Sequence, residues 1–149
     1  MSPPPIPSIT PVHLSPQGEA PPVRAWVAVA SGGALGGLLR WFLSQWNGLW
    51  PGLPVGTLAA NLGGGFFIGV ALQLFNERPS LSPTLRLFAV TGILGGLTTF
   101  STFSREAVDG LLGPHPGAAG ILILAHVLGS LIMTLLGMAL VRFFLRGRP

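Results

Sequence analysis

The sequence predicts an all-α membrane protein of four transmembrane helices, the third broken in its middle, and three observations carry this. Hydrophobic residues make up 49% of the 149-residue chain and charged residues only 8%, against roughly a quarter charged in soluble domains. Four apolar stretches are each long enough to cross about 30 Å of hydrocarbon, which takes about 20 helical residues, and short turn signals separate them. Finally, the third stretch holds a Gly-, Thr- and Ser-rich run that is poor helix material.

Residues 1–22 stand apart as a proline-rich tail, with eight of the fifteen prolines, no apolar periodicity, and His13 and Glu19 as isolated polar groups. Such a segment cannot bury a core and is expected to be disordered. It lacks the basic start and small-residue cleavage site of a secretory signal. The membrane-spanning part is expected over residues 23–149. Its first helix, about 23–46, is apolar except for Arg24 at its start and Arg40 near its far end. Asn47-Gly48 and Pro51 mark a turn, and an uncharged run from Leu53 to Phe75 predicts a second helix over about 53–75. Asn76 to Pro83 is the next connection. A third helix over about 85–110 contains the uncharged run Leu87 to Ser104, flanked by Arg86 and Arg105. After Gly113-Pro114-His115-Pro116, a fourth is expected over about 118–145. Short connections make neighbouring helices antiparallel, so both termini lie on one face.

Glycine concentrates at Gly32, Gly33, Gly36 and Gly37 in the first span and at Gly63, Gly64, Gly65 and Gly69 in the second. Small residues at four-residue spacing let helix backbones approach closely in lipid, where hydrophobicity does not drive association. Four thin helices enclose little volume, so function is expected to require an oligomer. The chain has no Cys, which excludes disulfides and thiolate chemistry. Three His and four acids scattered along the sequence do not suggest a metal cage built from side chains. The net charge of +4, all of its basic residues Arg, is spread too thinly for nucleic-acid binding and mostly flanks the apolar runs.

Gly95-Gly96-Leu97-Thr98-Thr99-Phe100-Ser101-Thr102-Phe103-Ser104 is the most informative segment. Unwound backbone at membrane depth is tolerated only when buried in protein or lining a wet cavity. The run therefore reads either as a break that frees carbonyls and amides for ions, or as an intact helix whose hydroxyls bond the preceding turn. Asn61 in an apolar span must be paired or wet. It is either an interhelical hydrogen-bond partner or a donor lining a path. Phe100 and Phe103 share a helix face and either pack against neighbours or present their positive ring edges to an anion. Arg40 can snorkel to the interface or form a basic vestibule that concentrates anions. Glu106, beside Arg105, reads as a local ion pair or cap. His126 is a satisfied interior histidine, a donor, or a proton-coupling group; the last predicts steep pH dependence between roughly pH 5 and 8.

The string GGLTTFSTFSRE at Gly95 to Glu106 closely resembles the signature of the Fluc/CrcB fluoride-channel family. Gly56-Thr57-Leu58-Ala59-Ala60-Asn61 followed by Gly63 to Gly69 is similar to the family's second-helix motif, and Gly32-Gly33-xx-Gly36-xxx-Arg40 to its first. The resemblance spans roughly Ala25 to Leu145. It implies a passive, fluoride-selective channel, not an enzyme, in the inner (plasma) membrane, which relieves fluoride that enters as HF and is trapped inside as the anion. It also implies an antiparallel dual-topology dimer with two anion pathways. A structural Na⁺ would sit at the dimer centre, held by backbone carbonyls that fall at Gly95 and Thr98. The fluoride pathway would comprise Asn61, Phe100, Ser101, Thr102 and Phe103, continuing past His126 to Ser130 and Thr134, with Arg40 at the vestibule. Family members commonly have Tyr where this chain has His126.

Fluoride is small and strongly hydrated, so its path must supply hydrogen-bond donors without a charge that would trap it. Arg24, Arg78, Arg86, Arg142, Arg146 and Arg148 fall on the face shared by the termini, and only Arg40 and Arg105 fall towards the other. That bias places the termini in the cytoplasm, whereas the dual insertion that the resemblance implies prefers a balanced count. Either the bias is weak and the partner is an inverted copy of the same chain, or the orientation is fixed and the partner is an inverted paralogue. Among competing functions, a small four-helix cation exporter needs a membrane-embedded acid, and Ala25 to Phe75 contains none. A membrane hydrolase would need a nucleophile motif, which is missing. A non-transporting assembly subunit would leave the hydroxyl-rich run unexplained.

Overall fold

The computed structural model describes residues 22–49 and 52–146. Most of the proline-rich segment, with His13 and Glu19, lies outside the described residues, as does Arg148. Helix α1 (Val23–Ser44) runs into a 3-10 turn, Gln45–Gly48. Gly52 follows with a φ of 79°, a left-handed turn conformation that glycine adopts without steric cost. Helix α2 is Val55–Glu77. Helix α3 covers residues 83–97, with π-helical hydrogen bonding over its central Leu87–Leu94. Helix α4 is Phe100–Leu112 and α5 is Pro116–Arg146.

Four helical stretches are long and apolar enough to cross a membrane: Val23–Gly48, Val55–Glu77, Pro83–Leu112 and Pro116–Leu145. The third and fourth start two residues earlier than their sequence patterns suggest. Pro83 and Pro116 each open a helix rather than delaying it. A first-turn N–H has no helical acceptor, so proline loses nothing there. At Pro83 the start is reinforced by Ser82, whose hydroxyl accepts from the Thr84 N–H at 3.2 Å.

Two close backbone contacts hold the helices together. A Cβ on Gly32 or Gly36 would strike the carbonyl of Phe88 or Ile93, so α1 lies directly on the π-helical segment of α3, where Gly92 faces Gly32. A Cβ on Gly69 would meet the Thr134 carbonyl, and one on Gly137 the Phe66 carbonyl, which joins α2 to α5 in the same way. Gly33, Gly37 and Gly63 have nothing within 4 Å of a built Cβ. The glycine clusters therefore divide into packing and open positions. Ala60, Leu94 and Leu97 form a small buried cluster where α2 meets α3. The far end of the α2–α5 pair is tied by polar groups: Arg142 Nε donates to Gln73 Oε1 at 3.1 Å, and Gln73 Nε2 donates to Glu77 Oε1 at 2.8 Å.

Candidate functional site

Helical dihedrals stop at Leu97 and resume at Phe100. Thr98 (φ −76°, ψ 151°) and Thr99 (φ −147°, ψ 121°) are extended. Side chains absorb the local cost. The Thr98 hydroxyl and N–H both donate to the Leu94 carbonyl, at 2.9 and 3.0 Å. Thr99 caps α4, its Oγ1 accepting from the Thr102 N–H at 3.2 Å. The Thr99 peptide unit is held by Asn61 of α2: the Asn61 amide donates to the Thr99 carbonyl at 3.0 Å, and the Thr99 N–H donates to Asn61 Oδ1 at 2.8 Å. One Asn61 N–H is thereby used, and an amide nitrogen carries a second.

The Thr99 and Thr102 N–H groups, which a continuous helix would send to the carbonyls of Gly95 and Thr98, are thus directed to side chains. Those two carbonyls are the pair singled out for Na⁺ by the resemblance, and a carbonyl relieved of its helical donor suits a hard cation. The residues therefore fit the group.

Around the interruption lies a polar concavity of about 640 Å³ bordered by Arg40, Asn47, Thr57, Thr99, Ser101, Thr102 and Arg105. It is an open cleft in the single chain. Its hydroxyls are linked: Thr99 Oγ1 is 3.1 Å from Thr102 Oγ1 and 3.3 Å from Ser101 Oγ. Two arginines with donor groups below them give an anion-attracting surface.

Phe103 is buried and Phe100 is 79% exposed. Their rings meet edge-to-face at 5.7 Å and 62°. The other side of Phe103 lies against the His126 ring, at 4.6 Å and 30°. Further along α5, the Thr134 hydroxyl is 2.9 Å from the Ser130 carbonyl and 3.0 Å from that of Gly65. His126, Ser130 and Thr134 recur every four residues on α5, as Thr57, Asn61 and Gly65 do on α2, so each set shares one helix face. The structure gathers Arg40, Ser101 and Thr102 around one cleft, ties Asn61 to Thr99 at its border, and places His126 with Phe103. Ser130 and Thr134 lie against Gly65, one turn beyond Asn61 on α2.

Glu106 departs from the local ion pair or cap read from its neighbour. Its Oε1 accepts from the Thr57 hydroxyl at 2.7 Å and from the Asn47 amide at 3.2 Å, while Thr57 N–H donates to Asn47 Oδ1 at 3.0 Å. This network joins the first turn to α2 and α4, and sequence reasoning missed Asn47 and Thr57 as its members. Asn47 read only as a turn residue and Thr57 only as part of a motif. The available signal was Glu106 itself, a carboxylate inside an apolar span that needs donors. Glu106→Leu is expected to strand the Thr57 and Asn47 donors and lower stability by about 2 kcal/mol, read as thermal unfolding in detergent, with Glu106→Gln intermediate. An unchanged melting temperature in both would count against the network.

The chain matches the family model described as CrcB-like protein, Camphor Resistance (CrcB), over residues 27–138. A Chromobacterium violaceum protein named fluoride-specific ion channel FluC is 56% identical over 117 residues, covering 78% of this chain and 93% of that protein. Proteins of the same name from Nitrosospira multiformis and Cupriavidus pinatubonensis are 50% and 54% identical, covering 80% and 76% of this chain and 94% and 90% of theirs.

Proposed function

Because the chain belongs to the CrcB-like family, whose similar members are named as fluoride channels and not as enzymes, we propose that it is a passive fluoride-selective channel. With four spanning helices it is a multi-pass membrane protein. The observation that carries the mechanism is the Asn61–Thr99 double hydrogen bond. It holds unwound backbone at membrane depth beside a cleft of hydroxyl donors. The carboxyl end of α3 meets the amino end of α4 there, so carbonyls and amides of opposite partial charge are presented side by side.

Arg40 and Arg105 concentrate the anion at the cleft. Asn61, Ser101 and Thr102 replace water lost from it, the Phe100 and Phe103 ring edges assist it, and the donors at Ser130 and Thr134 carry it onward. Na⁺ held by the Gly95 and Thr98 carbonyls would supply fixed positive charge at the centre. An inverted second copy closes the open cleft into a pathway, and the exposed Phe100 ring belongs to that junction. The partner is a copy of this chain, with an inverted paralogue as the variant arrangement. The protein resides in the inner membrane and relieves fluoride toxicity by letting trapped anion leave the cell.

The test is fluoride efflux from liposomes containing purified protein, followed with a fluoride electrode beside a chloride control. Rapid fluoride release with little chloride release is expected, and Phe103→Leu should slow it at least about tenfold, equivalent to about 1.4 kcal/mol in barrier. Equal release of the two halides, or none from folded dimers, would end the selective-channel reading.

A further inference from the structure

A neutral imidazole carries one N–H, and the surroundings of His126 decide which nitrogen holds it. Nδ1 is 3.1 Å from the Leu122 carbonyl, an oxygen that only accepts, so Nδ1 is the donor and Nε2 bears the lone pair. That Nε2 is buried with no hydrogen-bond partner, and the residue is 3% exposed. The neutral ring therefore has no N–H left for an anion, although it sits on the face of α5 that continues to Ser130 and Thr134 and lies against Phe103 at 4.6 Å. A buried acceptor without a partner is costly and calls for an explanation. One added proton supplies it: Nε2 becomes a donor, the ring becomes cationic, and a cation against an aromatic face is favourable.

We propose that His126 is a proton-operated element of the anion pathway: protonation at Nε2 turns a sealed acceptor into a cationic donor beside the Phe103–Phe100 pair and raises fluoride permeation in acid. This rests on the channel reading above. The charged and titratable groups of the surrounding helices are few. On α4, Arg105, Glu106 and Asp109 follow Phe103; Glu106, one turn on, has an Oε2 that is likewise buried without a partner. On α2 no titratable residue precedes Glu77. Within α5, His126 is the one titratable residue before Arg142, with His115 just ahead of the helix, and α1 contributes Arg40. Of these the carboxylates of Glu106 and Asp109 can accept the new N–H, while arginine only donates, and fluoride in the pathway is the other acceptor.

The decisive experiment is fluoride efflux from proteoliposomes between about pH 5 and 8, with protein-free vesicles subtracted at each pH because HF crosses lipid unaided. Wild type is expected to speed up about threefold or more on acidification across the imidazole range. His126→Gln, which keeps a neutral donor and does not titrate, should give a flat profile. A flat wild-type profile, a rise that persists in His126→Gln, or slowing in acid would each overturn the proposal. If no form passes fluoride at any pH, the channel reading itself has failed. The ring is then judged directly by ¹⁵N NMR of labelled histidine, assigned with His126→Gln: a signal that does not titrate in this range overturns the proposal, and one that does supports the proton site.

Discussion

Asn61→Leu is expected to be the most damaging single change at the site, cutting fluoride efflux about a hundredfold, the rate equivalent of about 3 kcal/mol. Leucine matches asparagine in size but can neither donate to the Thr99 carbonyl nor accept from the Thr99 N–H, the bonds now at 3.0 and 2.8 Å. Both backbone groups lie in a stretch that has left the helical ladder, and Thr99 is 7% exposed, so water cannot replace the lost partners. Two stranded buried groups at about 1–3 kcal/mol each bring the stability loss to about 4 kcal/mol. The extended pair has two escapes, rewinding into helix or shifting away from α2, and either one displaces Thr99, Ser101 and Thr102 together. Asn61→Asp separates the two jobs of this residue: it still accepts from Thr99 N–H but brings negative charge to an anion path. It should therefore retain more stability than leucine while passing little fluoride. Full efflux from folded Asn61→Leu protein would refute the role given to this pair.

Much of this architecture is legible in the sequence because lipid leaves few options. Backbone groups must be satisfied within helices, so four long apolar runs become four spans. The Thr98–Thr99 region stands out for the same reason: two glycines and successive hydroxyl residues weaken a helix at membrane depth. Asn61 stands out by polarity, and both of its readings have physical content, since it bonds another helix and keeps one N–H in reserve. What could not be read are pairings between distant positions. Nothing in residues 47, 57 and 106 indicates that they share one hydrogen-bond network. Likewise, Gly92 and Gly137 meet the backbone of a neighbouring helix as closely as Gly32 and Gly69 do, and the sequence does not name those partners. His126 shows a further limit: its residue type suggests a donor, but the Leu122 carbonyl one turn earlier takes the N–H.

The second large effect is steric and lies on α1. Gly36→Val should lower stability by about 3 kcal/mol or more, at or above the upper end of the usual cost of overpacking. A Cβ there would overlap the Ile93 carbonyl oxygen and come within 2.8 Å of the Leu97 nitrogen. Both are backbone atoms of α3 that cannot rotate aside as a side-chain tip would. Relief requires α1 to move off the π-helical segment, and Leu97 is the last helical residue before the two extended threonines. The strain is therefore delivered next to the candidate ion site, and efflux should fall together with the melting temperature. Gly33→Ala is the control, because its Cβ meets nothing within 4 Å in this chain, and alanine is the better helix former by about 1 kcal/mol. If Gly36→Val folds and conducts like Gly33→Ala, then α1 does not rest on α3 through glycine backbone. Damage at Gly33 as severe as at Gly36 would instead mean that the open side of α1 is covered by the second copy.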